Sequence, residues 1–240
     1  HLSLRRQRQM CIRDRASADR SPHDPQDPPV AGSNTTRDRI LLTSLALFNE
    51  QGLAAVSTHK IAAELGMSPG NLHYHFKAKQ LIVEWLFRRF EQRLESLNGS
   101  SAGIAAIDDL WLALHLRFEA INEYRFIYRD MAFLASEYPV LGQRAQALTA
   151  QNLLAAQALC EGLVASGVIE TSAEQARILA LQMVFTTTCW LSFERLVPGR
   201  DAVAQADPGL AAFYTLTLVS PYVSGESRAY LDYLRAKYLG

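Results

Sequence analysis

The chain has 240 residues, of which 49% are hydrophobic and 20% charged, and its 24 basic and 24 acidic side chains give a formal net charge of zero. This composition is ordinary for a soluble globular protein of one large or two modest domains. No apolar run of membrane-spanning length and no secretory signal pattern stands out, so we expect a cytoplasmic protein without a membrane partner. The three cysteines, Cys11, Cys160 and Cys189, are few and far apart, which argues against a disulfide framework and a zinc site.

The charges are distributed unevenly along the chain. Residues 34–98 carry eight basic and six acidic side chains, a net charge of +2, whereas residues 99–240 carry ten and fourteen, a net charge of −4. The basic excess is small. Any binding of nucleic acid must therefore rely on geometry and hydrogen bonds more than on a broad electrostatic attraction.

Residues 1–33 do not have the pattern of a folded segment. They combine a short basic run with four of the nine prolines and are predicted to form a disordered tail. Residues 2–15 resemble the translated read-through of a sequencing adapter, so we expect part of the tail to be an artefact and the native start to lie between residues 16 and 34. A basic arm that reaches DNA is the alternative.

A first helix is predicted from Thr36 to Gln51. Leu41, Leu45 and Phe48 recur at the spacing of one helix face, and Gly52 follows the last turn. Such an amphipathic helix is expected to brace the elements that come after it.

The stretch from Val56 to Lys79 contains two consecutive helix starts. Ser57 is a good N-cap, and Val56 and Ile61 are placed on either side of it as a hydrophobic staple. Gly66 ends this first short helix. A second cap, Ser68, follows with Pro69 in the first helical position. Two capped helices joined by a three-residue turn indicate a helix-turn-helix.

The second short helix has an unusual polar surface. If Leu72 and Phe76 point inward, the outward positions carry an amide, two imidazoles and a phenol in place of the usual lysines and glutamates. The outward positions are Pro69, Gly70, Asn71, His73, Tyr74 and His75. These groups suit base edges and phosphate oxygens. A helical hairpin with half-buried polar aromatics is the alternative interpretation.

Residues 35–81, including the segment Leu72-His73-Tyr74-His75-Phe76-x-x-Lys79, resemble the DNA-binding domain of the tetracycline-repressor (TetR) family. The sequence departs from the usual family pattern at His73, where tyrosine is most frequent, and at Ala78, where a serine or threonine cap is usual. The resemblance, taken with the outward positions, implies contacts to DNA from eleven residues: Thr36, Thr58, His59, Ser68, Pro69, Gly70, Asn71, His73, Tyr74, His75 and Lys79. Asn71 is the candidate for adenine recognition, and Lys79 the candidate for a phosphate at the start of the next helix.

The rest of the chain has a helical pattern throughout, and no strand pattern competes with it. We therefore predict an all-α fold with a tail at residues 1–33, a DNA-binding domain at residues 34–80 and a regulatory and dimerisation domain at residues 81–240. Within the last domain, we expect helices at residues 79–97, 104–121, 126–136, 141–167, 172–196, 209–219 and 226–238.

The predicted helix from Ser172 to Leu196 is apolar on nearly every side between Leu179 and Phe193. A single core does not cover every face of such a helix, so a second copy of the chain is expected to cover one of them. The family resemblance implies a dimeric four-helix bundle of the last long helices, here residues 172–196 and 209–219.

Aromatic and polar side chains on three helices of the larger domain are candidates for a ligand pocket: Trp111, His115, Phe118, Tyr128, Met131, Phe185, Thr186, Cys189 and Trp190. Cavities of this composition bind mainly apolar molecules, and the resemblance implies that a small, largely apolar effector binds here. An ordinary hydrophobic core is the alternative. Arg117, Arg125 and Arg129 are available for a carboxylate ligand, although Glu119, Glu123 and Asp130 are near enough in sequence to neutralise them.

No catalytic constellation, phosphate-binding glycine loop or metal motif occurs in the sequence, so neither an enzyme nor a cofactor is predicted. We predict a homodimeric, ligand-responsive repressor that binds a palindromic double-stranded DNA operator. An activator of the same fold is one alternative. A helical ligand carrier or enzyme that does not bind DNA is the more distant one.

Overall fold

The computed structural model describes residues 35–100, 106–194, 207–223 and 225–239. The predicted tail and the predicted helix end at residues 195–196 lie outside these ranges. The first helices are α1 (Thr36–Gln51), α2 (Thr58–Glu64), α3 (Pro69–His75) and α4 (Lys79–Ser100). They are followed by α5 (Ile107–Glu123), α6 (Arg125–Arg129), α7 (Met131–Glu137), α8 (Pro139–Ala165), α9 (Ala173–Glu194), α10 (Pro208–Leu216), a 3₁₀ turn (Ser220–Tyr222) and α11 (Gly225–Leu239). The prediction of an all-α fold is confirmed.

Helices α2 and α3 begin at the residues that the caps predict. The Ser57 hydroxyl accepts a hydrogen bond from the Lys60 amide at 3.2 Å, and the Ser68 hydroxyl accepts one from Asn71 at the same distance. Each bond satisfies an amide that the first turn of a helix leaves without a backbone partner. Gly66 turns the chain between the helices with a φ of 64°, a conformation that a side chain disfavours.

Two hydrophobic cores organise the described residues. The first joins α1–α4 to α6, α7 and the first half of α8, and its largest fully buried side chains include Phe48, Phe76 and Phe90. The second joins α5 and the end of α8 to α9–α11. Tyr128 packs against both. Helices α2 and α3, which we call the reading helices, therefore share a core with α6, α7 and the first half of α8.

Two predicted helix boundaries are wrong. The helix expected over residues 126–136 is interrupted at Asp130, whose φ and ψ of −108° and 23° leave the helical range. The connector expected to break at Asn98 continues to Ser100. The sequence Asn98-Gly99-Ser100 favours a helix end, because a glycine within a helix costs about 1 kcal/mol. Tertiary contacts of this segment outweigh that cost.

The end of α1 is tied to the junction between α5 and α6 by Asn49, which is 8% exposed. Its Nδ2 donates to the Glu123 carbonyl at 2.8 Å, and its Oδ1 accepts from the Phe126 amide at 3.1 Å. Both backbone groups lie at a helix end and have no helical partner of their own. Asn49 thus replaces the missing bonds and fixes α1 against α5 and α6.

Arg129 and Asp130 complete this junction. Arg129 donates through Nη1 to the Asn49 carbonyl at 2.7 Å and through Nη2 to the Phe48 carbonyl at 2.6 Å, and so caps the last turn of α1. The Asp130 carboxylate accepts from the Leu53 amide at 2.7 Å. Gly52, with a φ of 90°, lets the chain turn beneath this carboxylate. Arg129 and Asp130 are therefore committed to the fold and not to a ligand.

Helix α9 exposes a row of large apolar side chains. Ile178, Leu181, Phe185 and Phe193 are between 41% and 66% exposed, and Leu154 on the adjoining α8 is 66% exposed. By length and composition, residues 173–193 are also sufficient to span a membrane, although only 33% of that apolar window is buried. The sequence-based statement that no run reaches this length is therefore corrected.

Helix α10 is predicted to pair with the long helix at a dimer interface over residues 209–219, and this pairing stays a prediction. One apolar face of α10 is buried within the protomer, whereas Leu210 and Tyr214 are half-buried. Ala211, Ala212, Phe213 and Leu216 are at most 3% exposed. They pack within the protomer against α5 and α11. Among the described residues, α9 carries a row of exposed large apolar side chains, with Leu154 exposed on the adjoining α8.

Candidate nucleic-acid interface

The polar face of α3 is exposed, as its spacing predicts. Leu72 and Phe76 are each 1% exposed and hold the helix to the first core, whereas Tyr74 is 76% exposed. Asn71 and His73 are exposed and His75 is half-buried. The rings of Tyr74 and His75 meet edge to face, with centroids 5.3 Å apart. An amide, an imidazole and a phenol are thus presented together to solvent.

A cleft runs beside α3, between the start of α2 and the start of α4. Six of the predicted contact residues line it: Thr58, His59, Pro69, Gly70, His73 and Lys79. Lys77 lines the same cleft and is exposed, yet sequence reasoning missed it. Its position in the turn between α3 and α4 was the sequence feature that could have identified it as a contact. The other predicted contacts, Thr36, Ser68, Asn71, Tyr74 and His75, are not among the lining residues.

Lys79, a predicted phosphate contact, is bonded within the protein. Its Nζ donates to the Leu53 carbonyl at 2.5 Å and lies 5.7 Å from the centre of the Phe48 ring. Burial lowers the pKa of its ammonium, while Glu137 acts in the opposite direction. The ammonium therefore ties α4 to the loop after α1. Its contact with a phosphate stays a prediction, and Lys77 is a second, exposed cation beside α3.

Arg37 supports the reading helix from α1. Its guanidinium lies 4.9 Å from the centre of the Phe76 ring and 4.8 Å from that of Trp85, and its Nε is buried without a hydrogen-bond partner in the described part of the chain. Stacking between two aromatic rings fixes this side chain against the core. Thr36 beside it is half-buried.

The proposed pocket residues are divided between the two cores. Met131 packs on the first core, whereas Trp111, Phe118 and Trp190 belong to the second. The ring centroids of Phe118 and Trp190 are 6.3 Å apart. Trp111 stacks on His115 with ring centroids 5.0 Å apart. Cys189 is half-buried. These residues therefore do not form one continuous lining.

Two of the predicted pocket residues are corrected by their position on α9. Phe185 is 66% exposed, and the Thr186 hydroxyl donates to the Gln182 carbonyl of its own helix at 2.8 Å. Phe185 belongs to the exposed apolar row and not to an interior cavity.

Two family models match the chain in succession. Residues 40–85 match the model described as bacterial regulatory proteins, tetR family, and residues 89–231 match the tetR model described as a bacterial transcriptional repressor. The chain belongs to the tetR family. The first match covers α1–α3 and the start of α4, and the second covers the remainder of α4 and the helices up to the middle of α11.

Relatives described as transcriptional regulators match less than half of this chain. The transcriptional repressor KstR2 of Mycolicibacterium smegmatis is 30% identical over 111 residues, which cover 43% of this chain and 53% of KstR2. The regulator UidR of Escherichia coli is 27% identical over 99 residues, which cover 40% of this chain and 50% of UidR. The chain thus spans about half the length of these relatives.

Solved structures of the family extend the likeness to most of the fold. A TetR-family transcriptional regulator from Marinobacter aquaeolei superposes with a TM-score of 0.74 at 30% identity, covering 85% of this chain and 98% of that one. KstR2 of Mycobacterium tuberculosis, described as a ketosteroid transcriptional regulator, superposes with a TM-score of 0.60 at 20% identity, covering 81% and 98%. The second comparison concerns the fold alone.

Proposed function

We propose that the chain is a homodimeric transcriptional repressor that binds a palindromic operator in the cytoplasm and is released by a small effector. Residues 34–80 act as the DNA-binding domain and residues 81–240 as the regulatory and dimerisation domain. The observation that carries the proposal is α3, a short helix capped by Ser68. Its exposed face holds Asn71, His73 and Tyr74 where a solvated helix would carry lysine and glutamate.

Each side chain of α3 has a role that follows from its chemistry. The Asn71 amide is able to donate to and accept from the edge of one adenine in the major groove. His73, Tyr74 and His75 donate to phosphate oxygens, and the exposed Lys77 adds the charge that releases counterions. Asn71 therefore specifies sequence, while the other side chains set affinity and register.

The dimer rests on the apolar row of α9 and on Leu154 of α8. Ile178, Leu181 and Phe185 recur three and four residues apart and so lie on one helix face. A two-fold axis pairs this face with its own copy and buries both. The same axis places the two α3 helices on successive half-sites about 34 Å apart, or a multiple of that distance.

The proposal is tested by selecting bound sequences from a random DNA pool with the full chain. We expect a palindrome whose half-sites share one helical face of the duplex. Recovery of sequences without two-fold symmetry contradicts the dimeric repressor, and recovery of unenriched DNA contradicts sequence-specific binding altogether.

Exchanging Asn71 for alanine is expected to relax the preference at one base pair of each half-site. The binding free energy should fall by about 1–3 kcal/mol on the preferred base and by less on the others.

Tyr74→Ala should weaken binding equally on all sequences, because a phosphate contact carries no sequence information. Fluorescence anisotropy on the selected operator and its single-base variants measures both. Tyr74→Phe is the matched control that removes only the hydroxyl. Uniform weakening by Asn71→Ala would exclude it from base recognition.

Lys77 and Lys79 are expected to behave oppositely when each is changed to methionine. Lys77→Met should reduce the slope of log K against log salt by about 1.8 for a dimer, since each phosphate contact contributes about 0.9. Lys79→Met should leave the slope unchanged and lower the free energy of unfolding by about 1 kcal/mol, because it removes the bond to the Leu53 carbonyl. Salt titrations and urea unfolding of both variants measure the two effects, and a reduced salt slope for Lys79→Met would return it to the DNA contacts.

A further inference from the structure

Arg117 of α5 lies in a polar cluster where three helices meet. It donates to Asn98 Oδ1 near the end of α4 and to Asn152 Oδ1 on α8, the second bond at 3.1 Å. Asn98 Nδ2 also donates to Asn152 Oδ1, at 3.0 Å. Asn152 is 8% exposed, and Asn98 and Arg117 are half-buried, so the cluster is partly shielded from water. We call Arg117, Asn98 and Asn152 the amide cluster.

The amide cluster lacks a negative charge. Across the ranges that the structure covers, no carboxylate oxygen lies within 4.0 Å of Arg117, whereas three other arginines have one: Arg89 with Asp38, Arg129 with Asp130 and Arg144 with Glu91. The acidic neighbour Glu119 lies 3.3 Å from His115 on the same helix. Within these ranges, Arg117 is therefore balanced by neutral amides.

Burial makes this arrangement costly. Loss of hydration lowers the pKa of the Arg117 guanidinium, and the nearby Tyr128 is no counterion because burial raises its pKa to about 12. A shielded cation is ordinarily paired with an anion, and amide oxygens are weaker acceptors for a guanidinium than a carboxylate is. The two parallel donors of Arg117 match the two oxygens of a carboxylate.

We propose that Arg117 binds the carboxylate of the effector, and that Asn98 and Asn152 occupy its donors while the effector is absent. This inference rests on the proposed function, to which it adds the chemical class of the ligand: an apolar molecule that carries a carboxylate. The apolar part lies toward Tyr128, whose ring meets Phe90 edge to face at 5.7 Å.

The position of the amide cluster couples the ligand to the reading helices. Asn98 lies near the end of α4, the helix that begins directly after α3 and whose first residue is bonded to the loop after α1. A carboxylate on Arg117 displaces the Asn98 oxygen and frees this end of α4. Tyr128 packs against both hydrophobic cores, so the ligand binds where one core can shift against the other. Release follows because the ligand favours the state in which Asn98 has left Arg117.

The decisive variant is Asn98→Asp, which supplies Arg117 with a carboxylate of the same shape as the amide. We expect its melting temperature without ligand to exceed that of the natural chain, since the charge-assisted bond from Arg117 outweighs the loss of the neutral bond from Asn98 Nδ2 to Asn152 Oδ1. We also expect it to have lost all response to added carboxylates. Arg117→Gln tests the same site by removing the cation, and Arg93→Gln, which removes an exposed arginine of α4, is the matched control.

The probes are the straight-chain carboxylates from acetate to octanoate and their primary amides, compared at constant ionic strength by thermal unfolding of the full chain. We expect carboxylates to bind at least about tenfold more tightly than the amides of equal length, because charge-assisted hydrogen bonds are roughly twice as strong as neutral ones. The difference should be retained in Arg93→Gln and be absent from Asn98→Asp and Arg117→Gln.

Three outcomes overturn the inference: equal shifts for carboxylates and amides, a carboxylate shift that persists in Asn98→Asp or Arg117→Gln, and no shift with any probe. Operator binding by the natural chain is measured separately without probe. Absence of operator binding would contradict the proposed repressor. The carboxylate site would still be tested independently by the melting temperatures.

Discussion

Replacing Phe185 by aspartate is expected to separate the proposed dimer into monomers at micromolar concentration and to lower operator affinity by at least about 100-fold. Phe185 is 66% exposed in the protomer and lies in the middle of the apolar row of α9. A two-fold interface contains each substitution twice, so two carboxylates would be buried without partners. A monomer retains contacts to one half-site only.

Analytical ultracentrifugation measures the change in mass, and anisotropy on the selected operator measures the affinity. Tyr233→Asp is the control, because Tyr233 is 61% exposed on α11 and lies outside the apolar row. That variant should remain dimeric. A dimer that persists in Phe185→Asp would place the interface on another surface.

Replacing Asn49 by alanine is expected to lower the free energy of unfolding by about 2–4 kcal/mol, since the Glu123 carbonyl and the Phe126 amide each lose a buried partner at about 1–3 kcal/mol. Few single changes outside the apolar cores have so large an effect. Both orphaned groups lie at the junction of α5 and α6, so the loss also loosens the attachment of α1.

Urea unfolding monitored by circular dichroism measures this loss. Gln51→Ala, an exposed change at the last residue of α1, is the matched control and should shift stability by less than about 0.5 kcal/mol. Because alanine has a higher helix propensity than asparagine or glutamine, helix propensity cannot explain a loss in either variant. A loss of similar size in both would show that the two long-range bonds of Asn49 are not its cause.

The sequence was sufficient to predict elements that depend on neighbouring residues. Ser57 and Ser68 begin their helices where expected because a cap bonds to an amide three residues away. Leu72 and Phe76 are buried because a spacing of four residues defines a helix face. The exposed polar surface of α3 follows from these two facts alone.

Other features depend on partners far along the chain and were not predicted. Lys79 bonds to a carbonyl 26 residues away, and Arg117 to an amide 35 residues away. Asp130, where the predicted helix is interrupted, accepts a hydrogen bond from the amide of Leu53, 77 residues away. No local pattern encodes such pairings, so the sequence alone did not reveal the bond from Lys79 to Leu53 and left the role of Arg117 open among three arginines.

The shared first core limits how this protein can be divided. Phe76 of the DNA-binding domain packs in the same core as Leu134 and Leu141, so a cut after residue 80 would expose apolar surface on both fragments. Asn49 and Lys79 would also lose partners or neighbours on the other side of such a cut. A chimaera that exchanges operator specificity with a relative should therefore keep residues 81–148 with their own reading helices, or exchange only the exposed side chains of α3.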